Sequence, residues 1–210
     1  EIKEISVSQT NLIIYTADEE IYITNLGDCD FGEALGKNFE KDSIENKSEF
    51  CYAGKLKDVS KIDSAYNHCV FLTEGKEVYT LGRISEKSAF SYSATPEKID
   101  LPENAADAGA MEEGTVILSE NGTLYYIGYD KSGIQDERTD ITDENYYDTE
   151  FSVLEKPAPI NKVENKVKAF SLSAASIIIK DENDKFYTWG YNIGCVDADT
   201  DDNTVFIPTE

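Results

Sequence analysis

Three aspartates have the type and spacing needed to bind a metal ion. Asp197, Asp199 and Asp201 alternate along an acidic segment, and a single loop can present such carboxylates to Ca²⁺ from its first, third and fifth positions. The match to a calcium loop is partial, because Asp202 stands where a glycine is required and Pro208 where a bidentate glutamate belongs. The pattern favours a solvated acidic loop, with Ca²⁺ binding as the alternative.

His68 is the only histidine, which makes it the first candidate for acid–base chemistry. No nucleophile or metal ligand lies near it at an informative spacing, and the serine-nucleophile, P-loop and dinucleotide glycine motifs are absent from the sequence. Its position directly before an apolar run predicts a hydrogen-bonded structural histidine. We therefore predict no catalytic residue and no cofactor.

Tyr146 and Tyr147 stand side by side in the acidic segment 136–148. Adjacent tyrosines in a charged loop are good contact residues for a protein partner. The sequence therefore marks this pair as candidate partner-binding residues.

The four cysteines are irregularly spaced and include no C-x-x-C pair, which excludes the usual zinc and redox patterns. Cys29 and Cys51 flank one polar segment and could form a disulfide outside the cytosol. Nothing in the spacing demands pairing, so free thiols are favoured for Cys29, Cys51, Cys69 and Cys195.

The chain is strongly acidic, with 42 Asp and Glu against 19 Lys and Arg and a net charge of −23 over 210 residues. Such a surface repels phosphate backbones and anionic lipids, so we expect neither nucleic acid nor a membrane as a partner. No apolar run approaches eighteen residues, which predicts a soluble protein without membrane insertion. The acidic surface and the absence of an initiator Met at Glu1 favour an extracytoplasmic location.

Four segments of the chain repeat one pattern, in which a short apolar run and a polar turn precede a second run rich in Tyr, Thr and branched residues that ends at Gly or Asn. This pattern predicts β-hairpins. The apolar runs do not alternate with polar residues, so we expect both faces of each strand to be covered. The copies are residues 11–25, 68–82, 114–128 and 175–190, the last with one extra residue that we place in its turn.

The closing residues of the hairpins recur about every fifty-five residues, a period typical of β-propeller blades. It predicts a single repeat domain over 1–210 with approximate blades 1–55, 56–102, 103–164 and 165–210. The polar segments 26–55, 129–150 and 191–204 have the composition of surface loops. The acidic residues thus concentrate in the connections between strands.

The unit resembles the RCC1 repeat, the blade of the regulator-of-chromosome-condensation type of propeller. The second copy matches best, through His68, an apolar strand, the Glu74-Gly75 turn and Leu81-Gly82, and the fourth offers Trp189-Gly190. The histidine position carries Asn11, Gly114 and Ala175 in the other copies. The resemblance implies an all-β, RCC1-like propeller. Its implied nucleotide-exchange activity is not expected here, because the loops that serve it find no match in this sequence.

The number of repeats predicts an unusual ring. Propellers of the RCC1 family usually close with about seven blades, so four form an open arc with exposed end blades. Three arrangements are possible. Further blades outside this chain complete the ring, a second copy completes it in a homodimer, or the four blades close into an unusually small ring.

The sequence favours a non-catalytic protein-interaction or scaffold module that recognises a protein partner through its acidic inter-strand loops. One alternative is a carbohydrate-active enzyme or lectin on the same scaffold, because propellers host many activities. A second alternative is a calcium-stabilised surface domain.

Overall fold

Each repeated segment forms a hairpin at the centre of a four-stranded antiparallel sheet, here called a blade. A computed structural model describes residues 1–8, 11–25, 50–66, 68–84, 92–135, 150–191 and 204–209. Blade 1 contains β1 (Ile2–Val7), β2 (Asn11–Thr16), β3 (Glu20–Asn25) and β4 (Cys51–Lys55); blade 2 contains β5 (Val59–Ser64), β6 (His68–Thr73), β7 (Val78–Arg83) and β8 (Tyr92–Lys98); blade 3 contains β9 (Ala105–Met111), β10 (Gly114–Ser119), β11 (Leu124–Tyr129) and β12 (Val153–Pro159); blade 4 contains β13 (Val167–Leu172), β14 (Ser176–Asp181), β15 (Phe186–Tyr191) and β16 (Thr204–Thr209).

The four blades stack in chain order with their first strands side by side, since β1 contacts β5, β5 contacts β9, and β9 contacts β13. The first strands therefore line the centre of the arc. The ring is not closed, so the predicted alternative of a small four-bladed ring is wrong. Nowhere in the described ranges is there a helix long and apolar enough to cross a membrane.

The hairpins share one register of fifteen residues. Position 1 of the repeat pairs with position 15, as His68 does with Gly82. In the fourth copy Ser176 pairs with Gly190, so this hairpin also has fifteen residues. The prediction of an extra turn residue is wrong, because that residue, Ala175, precedes the strand. Ser176 rather than Ala175 thus occupies the histidine position.

One hydrogen bond recurs in all four hairpin turns. The side-chain oxygen at position 6 accepts the backbone N–H of position 10, a local bond that holds a short polar turn in one shape. The donor–acceptor pairs are Glu20 to Thr16 at 3.2 Å, Glu77 to Thr73 at 3.2 Å, Thr123 to Ser119 at 3.1 Å and Lys185 to Asp181 at 2.9 Å.

Each turn contains one residue whose backbone φ is positive, in the left-handed region, and it lies at position 9. These residues are Glu19, Lys76, Gly122 and Asp184. Only the third copy places a glycine there, because Gly75 of the second copy lies one residue too early. A side chain in this region is held at a cost of about 1 kcal/mol. We expect Lys76→Gly, at a φ of 65°, to raise the free energy of unfolding by about 0.5–1 kcal/mol, measured by urea denaturation.

A matched control for this change is Glu74→Gly in the same turn, where the backbone φ is not positive. Glycine there only adds freedom to the unfolded chain and is expected to lower stability slightly. Equal effects of the two substitutions would contradict the assignment of backbone strain to Lys76.

The glycines that close the hairpins permit a bulge against the fourth strand. Gly128 and Gly190 have φ values of 135° and 112°, and the register shifts at both residues. A Cβ atom on Gly128 would lie 2.3 Å from the Glu113 carbonyl oxygen. In blade 1 the register between the third and fourth strands shifts between Ile21 and Tyr22 instead. The closing residue of that hairpin therefore does not lie at the bulge, and it is an asparagine.

Burial of the central strands depends on the place of the blade in the arc. Every residue of β6 and β10 is buried, as the unbroken apolar runs predict. Burial alternates along β2 and β14 instead. The expectation of two covered faces is therefore wrong for blades 1 and 4, because the described chain supplies a neighbour on one side only.

Candidate functional site

Two sets of connections leave the blades at the same end of the arc. In each hairpin the first residue of the second strand pairs with the last or last-but-one residue of the third strand. The connection from third to fourth strand therefore starts beside the connection from first to second strand. We call this end of the arc the mouth; the tight hairpin turns lie at the opposite end.

The connections from first to second strand surround a cleft with a volume of about 500 Å³ at the mouth. It combines hydroxyl, carboxylate and small apolar side chains with exposed Tyr66. The cleft is lined by Val7, Ser8, Asp63, Ser64, Ala65, Tyr66, Ala110, Glu112, Leu172, Ser173 and Ala174.

Hydrogen bonds between blades fix the walls of the cleft. Asp63 Oδ2 of blade 2 accepts the backbone N–H of Ala110 in blade 3 at 3.0 Å. Ser6 Oγ of blade 1 lies 2.8 Å from Ser64 Oγ of blade 2, and buried Asn11 donates to the Tyr66 carbonyl at 2.9 Å. The cleft is thus a preformed feature of the arc.

Acidic segments of the sequence also start at the mouth. They belong to the third-to-fourth strand connections, and three of the four connections are rich in Asp and Glu. These are residues 26–50, 130–152 and 192–203, which include the described residues 50, 130–135 and 150–152. The acidic connections therefore start at the end of the molecule where the cleft lies.

His68 connects two blades. Its ring is fully buried, and Nε2 lies 3.0 Å from Thr115 Oγ1 on β10 of the next blade. Burial lowers the pKa of His68 to about 3, against a smaller opposing effect of a hydrogen bond with the Gly114 backbone. The imidazole is neutral at physiological pH and contacts blade 3 from the first position of its repeat.

The departures at the histidine position have a packing explanation. Asn11 also reaches the following blade, through the Ala65 and Tyr66 carbonyls. At Gly114 there is no room for a side chain, because a Cβ atom would lie 2.2 Å from the hydroxyl oxygen of Tyr126. Ser176 in the last blade bonds Ser173 of its own blade instead. Position 1 therefore makes an inter-blade contact in blades 1 and 2, and a sequence search for histidine alone misses the contact of Asn11.

Cys69 is a free thiol inside the junction between blades 1 and 2. Burial, assisted by the charge of Asp63, raises its pKa well above the usual value. The neutral thiol is therefore a packing group. The predicted alternative of a disulfide between Cys29 and Cys51 involves Cys29, which lies outside the described residues.

The predicted site residues fall in segments that the structure does not describe. Asp197, Asp199 and Asp201, the candidate calcium ligands, lie outside the described residues, as do Tyr146 and Tyr147. Within the described ranges there is no cluster of three or more side chains that could hold a metal ion.

Four-stranded blades stacked around a common centre by their first strands define a β-propeller, and their repeat gives it an RCC1-like fold. No family model and no curated protein matches the sequence. Solved propellers match it in structure: human WBSCR16 has a TM-score of 0.74 over 99% of this chain at 14% identity. Prp20p from Saccharomyces cerevisiae has a TM-score of 0.74 over 100% at 19% identity.

Yeast RCC1 (Prp20) bound to Kap60 is similar as well, with a TM-score of 0.71, 20% identity and coverage of 100% of this chain. The chain spans about half the length of these proteins, covering 51%, 50% and 48% of them in the order given. The similarity concerns the fold, and it confirms the RCC1-like propeller that the repeat predicts.

Proposed function

We propose that this chain is a protein-interaction or scaffold module that binds a partner with a basic surface at its mouth. The acidic third-to-fourth strand connections, with Tyr146 and Tyr147, contact the partner around the cleft. The observation that supports the proposal is that the strands flanking these connections end on the side of the arc where the cleft lies, in a frame held by inter-blade hydrogen bonds. A rigid frame that presents variable loops suits recognition, because little of the binding free energy is spent on ordering the scaffold.

Charge and the solved relatives support this proposal. A net charge of −23 favours a basic protein over nucleic acid. Among the structurally similar proteins, yeast RCC1 (Prp20) was solved with Kap60 bound, and the report on Prp20p describes its binding to Gsp1p and histones. All of these ligands are proteins.

The proposal is tested by partner capture with two matched variants. The immobilised chain is exposed to an extract of its native source, a bound protein is identified, and its affinity is then measured with purified components. A mouth variant carries Asp136→Asn, Glu137→Gln and Asp140→Asn together with Tyr146→Ser and Tyr147→Ser. We expect it to lose about tenfold or more in affinity, because it removes both charge and aromatic contacts.

The control removes three carboxylates from the opposite end of the arc. Glu74, Glu120 and Glu182 occupy position 7 of three hairpin turns, where all three are exposed, and each is changed to glutamine. Its affinity is expected to stay within about twofold of the wild type. Equal losses in the two variants, or no captured partner at all, would contradict recognition at the mouth.

A further inference from the structure

The interior junctions between blades use a fixed set of repeat positions. Positions 3 and 11 face the following blade, where they are buried in the junction cores. They are Ile13 and Ile21 of blade 1, Val70 and Val78 of blade 2, and Val116 and Leu124 of blade 3. Position 4 faces the preceding blade, as Phe71, Ile117 and Ile179 show.

Blade 4 carries the same apolar residues with nothing against them in the described chain. Its positions 3 and 11 are Ile178 and Phe186, which are 48% and 58% exposed. Lys180 is also on this face, with Nζ 5.8 Å from the centre of the Phe186 ring and paired with Asp184 at 2.8 Å. We call this surface the trailing face.

Blade 1 presents the opposite half of the junction. Its position 4, Ile14, pairs with Ile5 of β1 and with Tyr22 of β3, and cross-strand partners point to the same side of a sheet. Ile5 is 53% exposed, whereas Ile62 and Ala108, its equivalents in blades 2 and 3, are buried. Tyr52 continues the surface, with its ring 5.7 Å from that of Tyr22. We call this surface the leading face.

We propose that the leading face of one copy of this chain binds the trailing face of a second copy, and that two copies close a ring of eight blades. Pairs of complementary faces already occur inside the molecule. A trailing face meets a leading face at each of the three interior junctions, and the described residues leave one exposed face of each kind. A second copy supplies both missing halves at once through two identical junctions.

The charge distribution and the blade number are compatible with this assembly. The leading face displays aliphatic and tyrosine side chains, and Glu20, which accepts a hydrogen bond from Tyr22, is paired there with Lys55. On the trailing face Lys180 is paired with Asp184. Repulsion between two acidic copies therefore acts mainly across the mouth and is screened by salt. Eight blades lie within the range of known propellers, and head-to-tail contacts that close produce a ring.

The test is the mass of the purified 210-residue chain by sedimentation equilibrium and native mass spectrometry across a range of concentrations. We expect a dimer of the 23.4 kDa chain. Phe186→Glu and Ile5→Glu, on opposite faces, should each weaken it by about a hundredfold or more, because each places an unpaired charge in a buried junction. Val153→Glu changes an exposed apolar residue of blade 3 outside both faces and should leave the dimer intact.

Mixing the two face variants tests whether the leading face of one copy binds the trailing face of the other. The Ile5→Glu chain keeps its trailing face and the Phe186→Glu chain keeps its leading face, so a mixture should form mixed dimers through one intact junction. Circular dichroism and Trp189 fluorescence establish that each variant is folded. A monomeric wild type, open chains of higher mass, or a dimer sensitive to only one of the two substitutions would each overturn the proposal. No captured partner, or equal losses of affinity in the mouth variant and its control, found together with an intact dimer, would count only against the proposed function.

Discussion

Replacing Trp189 by alanine is expected to lower the free energy of unfolding by about 3–5 kcal/mol, the usual cost of removing a large buried aromatic side chain. Trp189 is 2% exposed and lies in the junction between blades 3 and 4 with Val116, Leu124 and Ile177. Alanine would leave a cavity where two blades meet. Urea denaturation followed by far-ultraviolet circular dichroism measures the loss, since the substitution removes the only tryptophan.

The conservative variant Trp189→Phe separates packing from hydrogen bonding. The indole N–H donates to the Ile134 carbonyl at 3.0 Å, and buried Asp130 holds that loop by accepting the N–H groups of Ile134 and Gln135. Phenylalanine fills most of the space and loses this bond, so a smaller cost of about 1–2 kcal/mol is expected. Effects below about 1 kcal/mol for Trp189→Ala would contradict a packed junction between these blades.

Acidification from pH 7.5 to pH 5 is expected to remove about 2 kcal/mol of stability through His68 alone. Its folded pKa of about 3 lies below the ordinary value of 6.5. The unfolded chain therefore takes up a proton below about pH 6.5 that the folded chain binds only near pH 3. The stabilisation is complete above pH 6.5 and is lost as the pH falls towards 3.

His68→Gln provides the control, because glutamine keeps an N–H donor for Thr115 and does not titrate in this range. Denaturation curves of both chains at pH 7.5 and pH 5, at one low protein concentration, should show a loss about 2 kcal/mol smaller for the variant. Few carboxylates change charge above pH 5, so the difference reports on the sole histidine. Identical pH dependence in the two chains would contradict a buried neutral His68.

The hairpins and their order could be predicted from the sequence, because an apolar run, a polar turn and a closing glycine are local signals. The register of the fourth copy was not predictable in this way, since Ala175 and Ser176 are equally acceptable at a strand start. Its assignment depends on Ser176 pairing with Gly190. The shared hydrogen bond between positions 6 and 10 is also not evident from the sequence, because Thr, Ser and Asp accept it with different side chains.

The contacts between blades could not be predicted from sequence patterns. Asn11, His68 and Gly114 look unrelated as residue types, and only the folded structure explains them: the first two bond to the following blade, and the third leaves room for Tyr126 of its own blade. The uneven burial of β2 and β14 likewise follows from where a blade lies in the arc. No local pattern contains that information.

The most direct test of the open four-bladed arc is small-angle X-ray scattering from the Phe186→Glu chain, in which the trailing face is disrupted. We predict the profile of a single open arc of four stacked blades, with blades 1 and 4 apart. A profile that fits a closed four-bladed ring, or separate blades without fixed stacking, would contradict it.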